Sequence, residues 1–185
     1  MYAKLKVKVE MLKAGMELNN VNVRQIPNIC RIETLAGDGN GEPMNAVPFP
    51  DGTTFSSIAF AASDLEKSED NEWAVFYVPE NLQGETETQG GNKSDGAPSN
   101  ALVVDVTTEI GGERYLYAAY PGGNSINNFN IQRNQVYRMT LTITGEKGQN
   151  NPSSNCFVVK PNDFLSFEPY YRVETGGGYN FADYL

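Results

Sequence analysis

Apolar and polar residues alternate with a period of two through most of this chain. At the start, Leu5, Val7 and Val9 fall between Lys4, Lys6, Lys8 and Glu10. This gives one apolar and one charged face, the pattern of a strand buried on one side. The clearest run is residues 137–144, where Tyr137, Met139, Leu141 and Ile143 face one way and Arg138, Thr140, Thr142 and Thr144 the other. Shorter segments, most of them rich in Val, Ile, Thr or aromatic residues, predict strands at 18–23, 73–78, 102–107, 115–120, 156–160 and 164–167. No segment carries a convincing apolar stripe at helical spacing. Residues 57–67, with their Ala and Ser content, read either as one or two helical turns or as loop. Strands that follow one another without intervening helices predict an all-β protein, an antiparallel β-sandwich with long polar loops.

Two of those loops stand out. Residues 36–54 carry three prolines and four glycines, and residues 84–100 hold no large apolar side chain. The second loop is longer than compact domains usually keep without a reason, so it is expected to be disordered unless it is functional. Residues 1–13 contain four lysines against one glutamate. Because the alternation sets those lysines opposite the apolar face, they are expected to guard the exposed side of an edge strand against edge-to-edge pairing. A docking role toward a membrane surface or another partner is the competing reading.

Composition narrows the function classes. A chain of 185 residues with 20.3 kDa of mass is long enough for one well-buried domain without disulfides or metal. The net charge of −9 argues against a nucleic-acid partner, since such binding is dominated by phosphate neutralisation. There is no histidine, which removes Ser-His-Asp and Cys-His machinery, His-ligated zinc and the commonest general base near neutral pH. No run of 18 apolar residues is present, so no transmembrane segment is expected. The opening MYAKLKVKVEMLK lacks the apolar stretch of a signal peptide, so any export signal is expected to lie outside this sequence. Cys30 and Cys156 stand 126 positions apart, which fits no metal or redox spacing. Two separate small hydrophobes are the favoured reading, and the sequence leaves open whether they pair.

Three constellations deserve weighing as chemistry. Asp38, Asn40 and Glu42 imitate the first half of a calcium loop, but the twelfth position, which needs a bidentate Glu, is Phe49. A glycine-rich turn is the better reading, and no metal or other cofactor is expected. Phe157, Phe164, Phe167, Tyr170, Tyr171, Tyr179, Phe181 and Tyr184 crowd the C-terminal end around Glu168 and Glu174. Rings and paired carboxylates are the minimal kit of a glycosidase, yet nothing fixes the carboxylate separation. Core-facing aromatics are the plainer reading, with a non-catalytic sugar-binding surface as the alternative. Asn92-Lys93-Ser94 matches a glycosylation acceptor and carries no weight in a polar loop.

Two motifs are more specific. WAVFYVPENLQG, residues 73–84, is followed after a polar loop and two strands by YPGGNSINNFNIQRNQVYRMTLTITG, residues 120–145. Together they resemble the fimbrillin family of gut and oral anaerobes, in which a strand ending in Y-x-P-E-N-x-x-G precedes F-N-[IV]-x-R-N-x-x-Y and a long alternating strand. The matching positions are Tyr77, Pro79, Glu80, Asn81 and Gly84, then Phe129, Asn130, Ile131, Arg133, Asn134 and Tyr137. Weaker similarity at AKLKVKVEM and LNNVNVRQIPN extends the likeness over about residues 3–160. The motif residues read as structural determinants. Pro79 ends a ladder by removing a donor, Asn81 and Gly84 supply turn conformations, and the Arg133 guanidinium is expected to bind carbonyls or a carboxylate such as Glu80.

The resemblance implies a non-enzymatic surface subunit of a pilus, in the stalk, at the tip or in an accessory place, built on a transthyretin-like, Greek-key β-sandwich. Its partners would be other fimbrial subunits joined by strand donation after proteolytic loss of an N-terminal strand, and a host protein or glycan. The candidate cutting sites by position are Arg24 and Arg31. The expected organisation is a sandwich domain over residues 1–155, with residues 1–35 readable as the end of a preceding domain. Residues 156–185 would be C-terminal strands or the start of a truncated domain. The final ETGGGYNFADYL reads as a donor strand or as that lost domain's beginning, and the fresh strand-like start after Asn155 favours the second. The whole is expected to be a portion of a longer subunit. A carbohydrate-binding β-sandwich of a glycan-capture protein is the alternative function.

Overall fold

The computed structural model describes residues 2–11, 14–30, 46–65, 73–87, 93–124, 126–143 and 167–173. Eight strands carry the fold: β1 (Tyr2–Met11), β2 (Glu17–Pro27), β3 (Phe55–Ala61), β4 (Ala74–Pro79), β5 (Val103–Ile110), β6 (Glu113–Ala119), β7 (Val136–Ile143) and β8 (Phe167–Val173). One short helix, α1 (Ala62–Leu65), follows β3. The strands form two four-stranded sheets, in the orders β4-β1-β7-β8 and β3-β2-β5-β6. The protein is an all-β sandwich, and the chain passes from one sheet to the other between β1 and β2, between β3 and β4, between β4 and β5, and between β6 and β7.

Alternation explains which face each strand buries. In the first sheet Leu5, Val7, Phe76, Val78, Met139 and Leu141 point inward; in the second, Val21, Val23, Val104, Val106 and Tyr117 do. All are at most 2% exposed, and together they make one continuous core between the sheets. A second, smaller cluster of Ala101, Val103, Ala118, Tyr120 and Phe129 covers part of the outer face of the second sheet. The connections before β5 and after β6 supply its lid.

Several expectations need correcting. β1 is a central strand, flanked by β4 and β7, so its lysines guard no edge. They lie on the outer face instead, where apolar stems cover the sheet and charged ends approach rings: Lys4 Nζ is 5.8 Å from the Tyr77 ring centroid and Lys6 Nζ 5.5 Å from that of Trp73. The sandwich is not wholly antiparallel, because β1 and β7 pair in parallel, Leu5 opposite Tyr137 and Leu141 opposite Val9. More than a hundred residues separate those two strands, ample length for the crossover that parallel pairing needs.

Of residues 57–67, read as helical turns or loop, 57–61 belong to β3 and 62–65 form α1. Of the expected strand at 164–167, Phe167 is described and opens β8; residues 164–166 and 156–160, the tail after 173, Cys156 and the Asp38-Asn40-Glu42 run lie outside the described residues. The described part of loop 84–100, residues 84–87 and 93–100, is not simply disordered. Thr86 bonds to Asn127 and Gly96, and Lys93–Gly96 makes a turn of 3-10 helix. Among the described residues no helix is long and apolar enough to cross a membrane.

Candidate functional site

Pro79 is the last residue of β4, opposite Tyr2. β4 ends its sheet in the order given above, and an edge position tolerates the missing N–H. Beyond it the chain turns to meet the segment leading into β7. Asn81 and Ile131 exchange backbone bonds in both directions, at 2.9 and 2.7 Å, and Phe129 N donates to Gly84 O at 2.9 Å. The two motifs, 50 positions apart in sequence, thus lie side by side.

Side chains lock this pairing. Glu80 faces Arg133: its Oε1 accepts from Arg133 N at 3.1 Å and from Nε at 3.0 Å, and its Oε2 accepts from a terminal guanidinium nitrogen at 2.5 Å. The two side chains are only 11–12% exposed. The hydrogen bonds from Arg133 to the carboxylate hold the guanidinium pKa above its ordinary value. Asn81 is fully buried, and its Nδ2 donates to Gln25 O at 3.3 Å and Asn100 O at 2.8 Å, reaching the second sheet. Its Oδ1 has no hydrogen-bond partner among the described residues.

Gly84 has φ of 74°, and a Cβ there would come within 2.6 Å of Ala46 N. Its own N–H donates to Asn130 Oδ1 at 2.6 Å. Glycine therefore answers both the left-handed backbone and the close approach. Asn134 adopts φ of 60° and donates its N–H to Tyr2 O at 3.0 Å, setting the start of β7 beside the start of β1. The Tyr137 hydroxyl, on a side chain 4% exposed, accepts from Gln132 N at 2.8 Å. Burial pushes that phenol's pKa well up. Phe129 is fully buried against Tyr120, ring centroids 5.9 Å apart.

Of the residues singled out from the sequence, Glu80, Asn81, Gly84, Asn130, Ile131, Arg133 and Tyr137 converge in this clasp. Tyr77 does not join it; it is 41% exposed on the outer face of β4. Beside the clasp is a shallow apolar pocket lined by Ile29, Cys30, Val47, Phe49, Glu80 and Leu82, with Pro48 and Pro50. Cys30 is half-buried there. Among the described residues no three His, Cys, Asp or Glu side chains are grouped to hold a metal ion. Chemically the clasp presents a carboxylate already bound by a guanidinium and amides bonded to backbone, with Asn81 Oδ1 the exception among the described residues.

Two polar groupings escaped the sequence reading. Arg24 on β2 binds Asp105 on β5, through Nε to Oδ2 and, at 3.1 Å, through a terminal nitrogen to Oδ1. Desolvation raises the Asp105 pKa, against the opposing pull of Arg24. The other grouping gathers Glu85, Lys93, Asn124 and Asn128. Asn124 Oδ1 accepts from the N–H groups of Ile126, Asn127 and Asn128, all at 2.9 Å. The density of asparagine in NSINNFN was its one visible signal.

A family model described as a domain of unknown function (DUF4906) matches residues 76–141, well under half of the chain, and it spans both motifs. No curated protein matches. Among solved structures, the tip fimbrial protein Mfa3 from Porphyromonas gingivalis with C-terminal truncation is similar at 16% identity and a TM-score of 0.42. The likeness covers 93% of this chain and 50% of that one, so the chain spans about half the length of the solved protein it matches.

Proposed function

We propose that this chain is a non-enzymatic structural or adhesive subunit of a bacterial surface fimbria, joined to its neighbours by β-strand donation. The observation that carries the reading is an overhang at the sheet edges. Ile58 and Phe60 on β3 stand opposite Val23 and Val21, so they face the core side. Phe60 is covered, its ring 4.8 Å from that of Phe76 on β4. Ile58, one step outward, is 43% exposed. Among the described residues β4 is the last strand of the facing sheet at that side. An extended strand laid beside β4 would pair with that edge and cover Ile58 in one move.

The sequence motifs support the same reading, since their residues are spent on holding β4 to the segment before β7. On this reading the chain works at the cell surface, among fimbriae associated with the outer membrane, with other subunits as partners. Whether a host protein or a glycan is also bound belongs to the adhesive half of the proposal.

The test is size-exclusion chromatography with light scattering, before and after limited trypsin treatment, with mass spectrometry of the products. Salt-resistant, heat-stable multimers are expected before trimming as well as after it, because the β4 edge and the exposed Ile58 are present in the intact chain. Ile58→Lys, which puts a charge on the uncovered core face, is expected to abolish them. A chain that remains monomeric under every condition overturns strand donation.

A further inference from the structure

The asparagine-rich connection after β6 holds a lysine where a lysine is costly. Lys93 is 5% exposed, its Nζ donates to Asn124 O at 2.8 Å, and it sits 4.8 Å from the Phe129 ring centroid. Burial lowers its pKa from 10.5 to about 7. The amine is therefore neutral, and nucleophilic, in a large share of molecules near neutral pH.

Asn128, 8% exposed, is buried in the same connection. Both crowd the same glycine pair. A Cβ built on Gly122 would meet Lys93 Nζ at 2.9 Å and Asn128 O at 1.9 Å, and one on Gly123 would meet Asn128 Cγ at 2.8 Å. With no side chain at either position, the amine comes close to Gly122 and the amide to its neighbour Gly123. The Asn128 side chain is also held in an activated way. Its Oδ1 accepts from two backbone N–H groups, Gly123 and Asn130, each at 3.0 Å, the arrangement that stabilises negative charge on a carbonyl oxygen under attack. Its Nδ2 donates to Glu85 Oε1 at 3.1 Å.

We propose that Lys93 and Asn128 become joined by an intramolecular amide bond. Lys93 Nζ swings from the Asn124 carbonyl to Asn128 Cγ and forms the new N–C bond; the Cγ–Nδ2 bond breaks. One proton passes from Nζ to Nδ2, with Glu85, already bonded to Nδ2, as the relay, and ammonia leaves. No oxidant, reductant or cofactor enters the balance. The link ties the 93–96 turn to the connection between β6 and β7, and closes the lid over Phe129 and Tyr120 with a covalent bond. Nothing in this depends on the fimbrial reading.

Intact-mass spectrometry of the full chain tests it. The expected mass is that of the sequence less one ammonia, and digestion is expected to release a branched peptide joining the Lys93 and Asn128 segments. Lys93→Met and Asn128→Ala are expected to restore the full mass calculated for each variant. Glu85→Gln, at an exposed position, keeps amine and amide in place and is expected to leave a larger unlinked fraction. A wild-type mass equal to that of the sequence overturns the proposal. So does an ammonia deficit without the branched peptide, or one that persists in Lys93→Met.

Discussion

Removing either partner of the Glu80–Arg133 pair gives a prediction with an internal asymmetry. Glu80→Ala removes all three bonds that the carboxylate accepts, from Arg133 N, Nε and a terminal nitrogen. It also leaves a guanidinium 12% exposed without its counter-charge. Arg133→Ala removes the two guanidinium bonds and leaves the backbone N–H still donating to Glu80. Breaking a buried pair costs about 3–5 kcal/mol, and a hydrogen bond to a charged group contributes about 1.5–3 kcal/mol. Slight exposure moves both toward the lower end, so the expected losses are about 3 kcal/mol for Glu80→Ala and about 2 kcal/mol for Arg133→Ala. The double variant should lose much less than their sum, a coupling of about 1.5–2 kcal/mol. Urea unfolding followed by circular dichroism and by the fluorescence of Trp73, the single tryptophan, measures all four corners of the cycle. A coupling below about 0.5 kcal/mol, within the error of additivity for independent sites, would sink the idea that this pair holds the two motifs together. Arg133→Ala costing clearly more than Glu80→Ala would refute the role given to the backbone bond.

The rest of the site makes simpler predictions. Tyr137→Phe strands the Gln132 N–H and is expected to cost about 1–3 kcal/mol in the same urea assay. Gly84→Ala should cost about 2 kcal/mol or more, because a Cβ adds left-handed strain to a 2.6 Å clash with Ala46 N; a neutral effect would mean the neighbouring loop gives way freely. Asp105 supplies a pH test. Its folded pKa lies above the usual 3.8, so between those two values the folded state binds more protons than the unfolded one. This group's contribution to stability therefore falls as pH rises through that window and is constant below it. Asp105→Asn should remove that segment of the pH–stability curve, and an unchanged curve counts against the assignment.

Period-two alternation locates most strands and shows which side of each is buried. Alternation is a local property, so Leu5, Val7 and Val9, or Met139, Leu141 and Ile143, declare an apolar face whichever neighbours the strand acquires. Turn chemistry was legible too: Pro79 had to end its strand and Gly84 had to bend the chain. The meeting of Glu80 with Arg133 was foreseeable as a pairing of complementary charges, each next to a strand end. Strand neighbours were not legible, because a period of two fixes a face and leaves the pairing partner open. Hence the placing of β1 at the centre of its sheet, parallel to β7, belongs to the tertiary structure alone, and it changes what its lysines do. β3 escaped because FSSIAFA is an edge strand exposed along most of its length, so burial stamps little pattern on it. The left-handed backbones of Gln25 and Asn134 and the meeting of Lys93 with Asn128 escaped for the same underlying reason. Each depends on where remote backbone donors and acceptors come to rest, and only the packed sheets decide that.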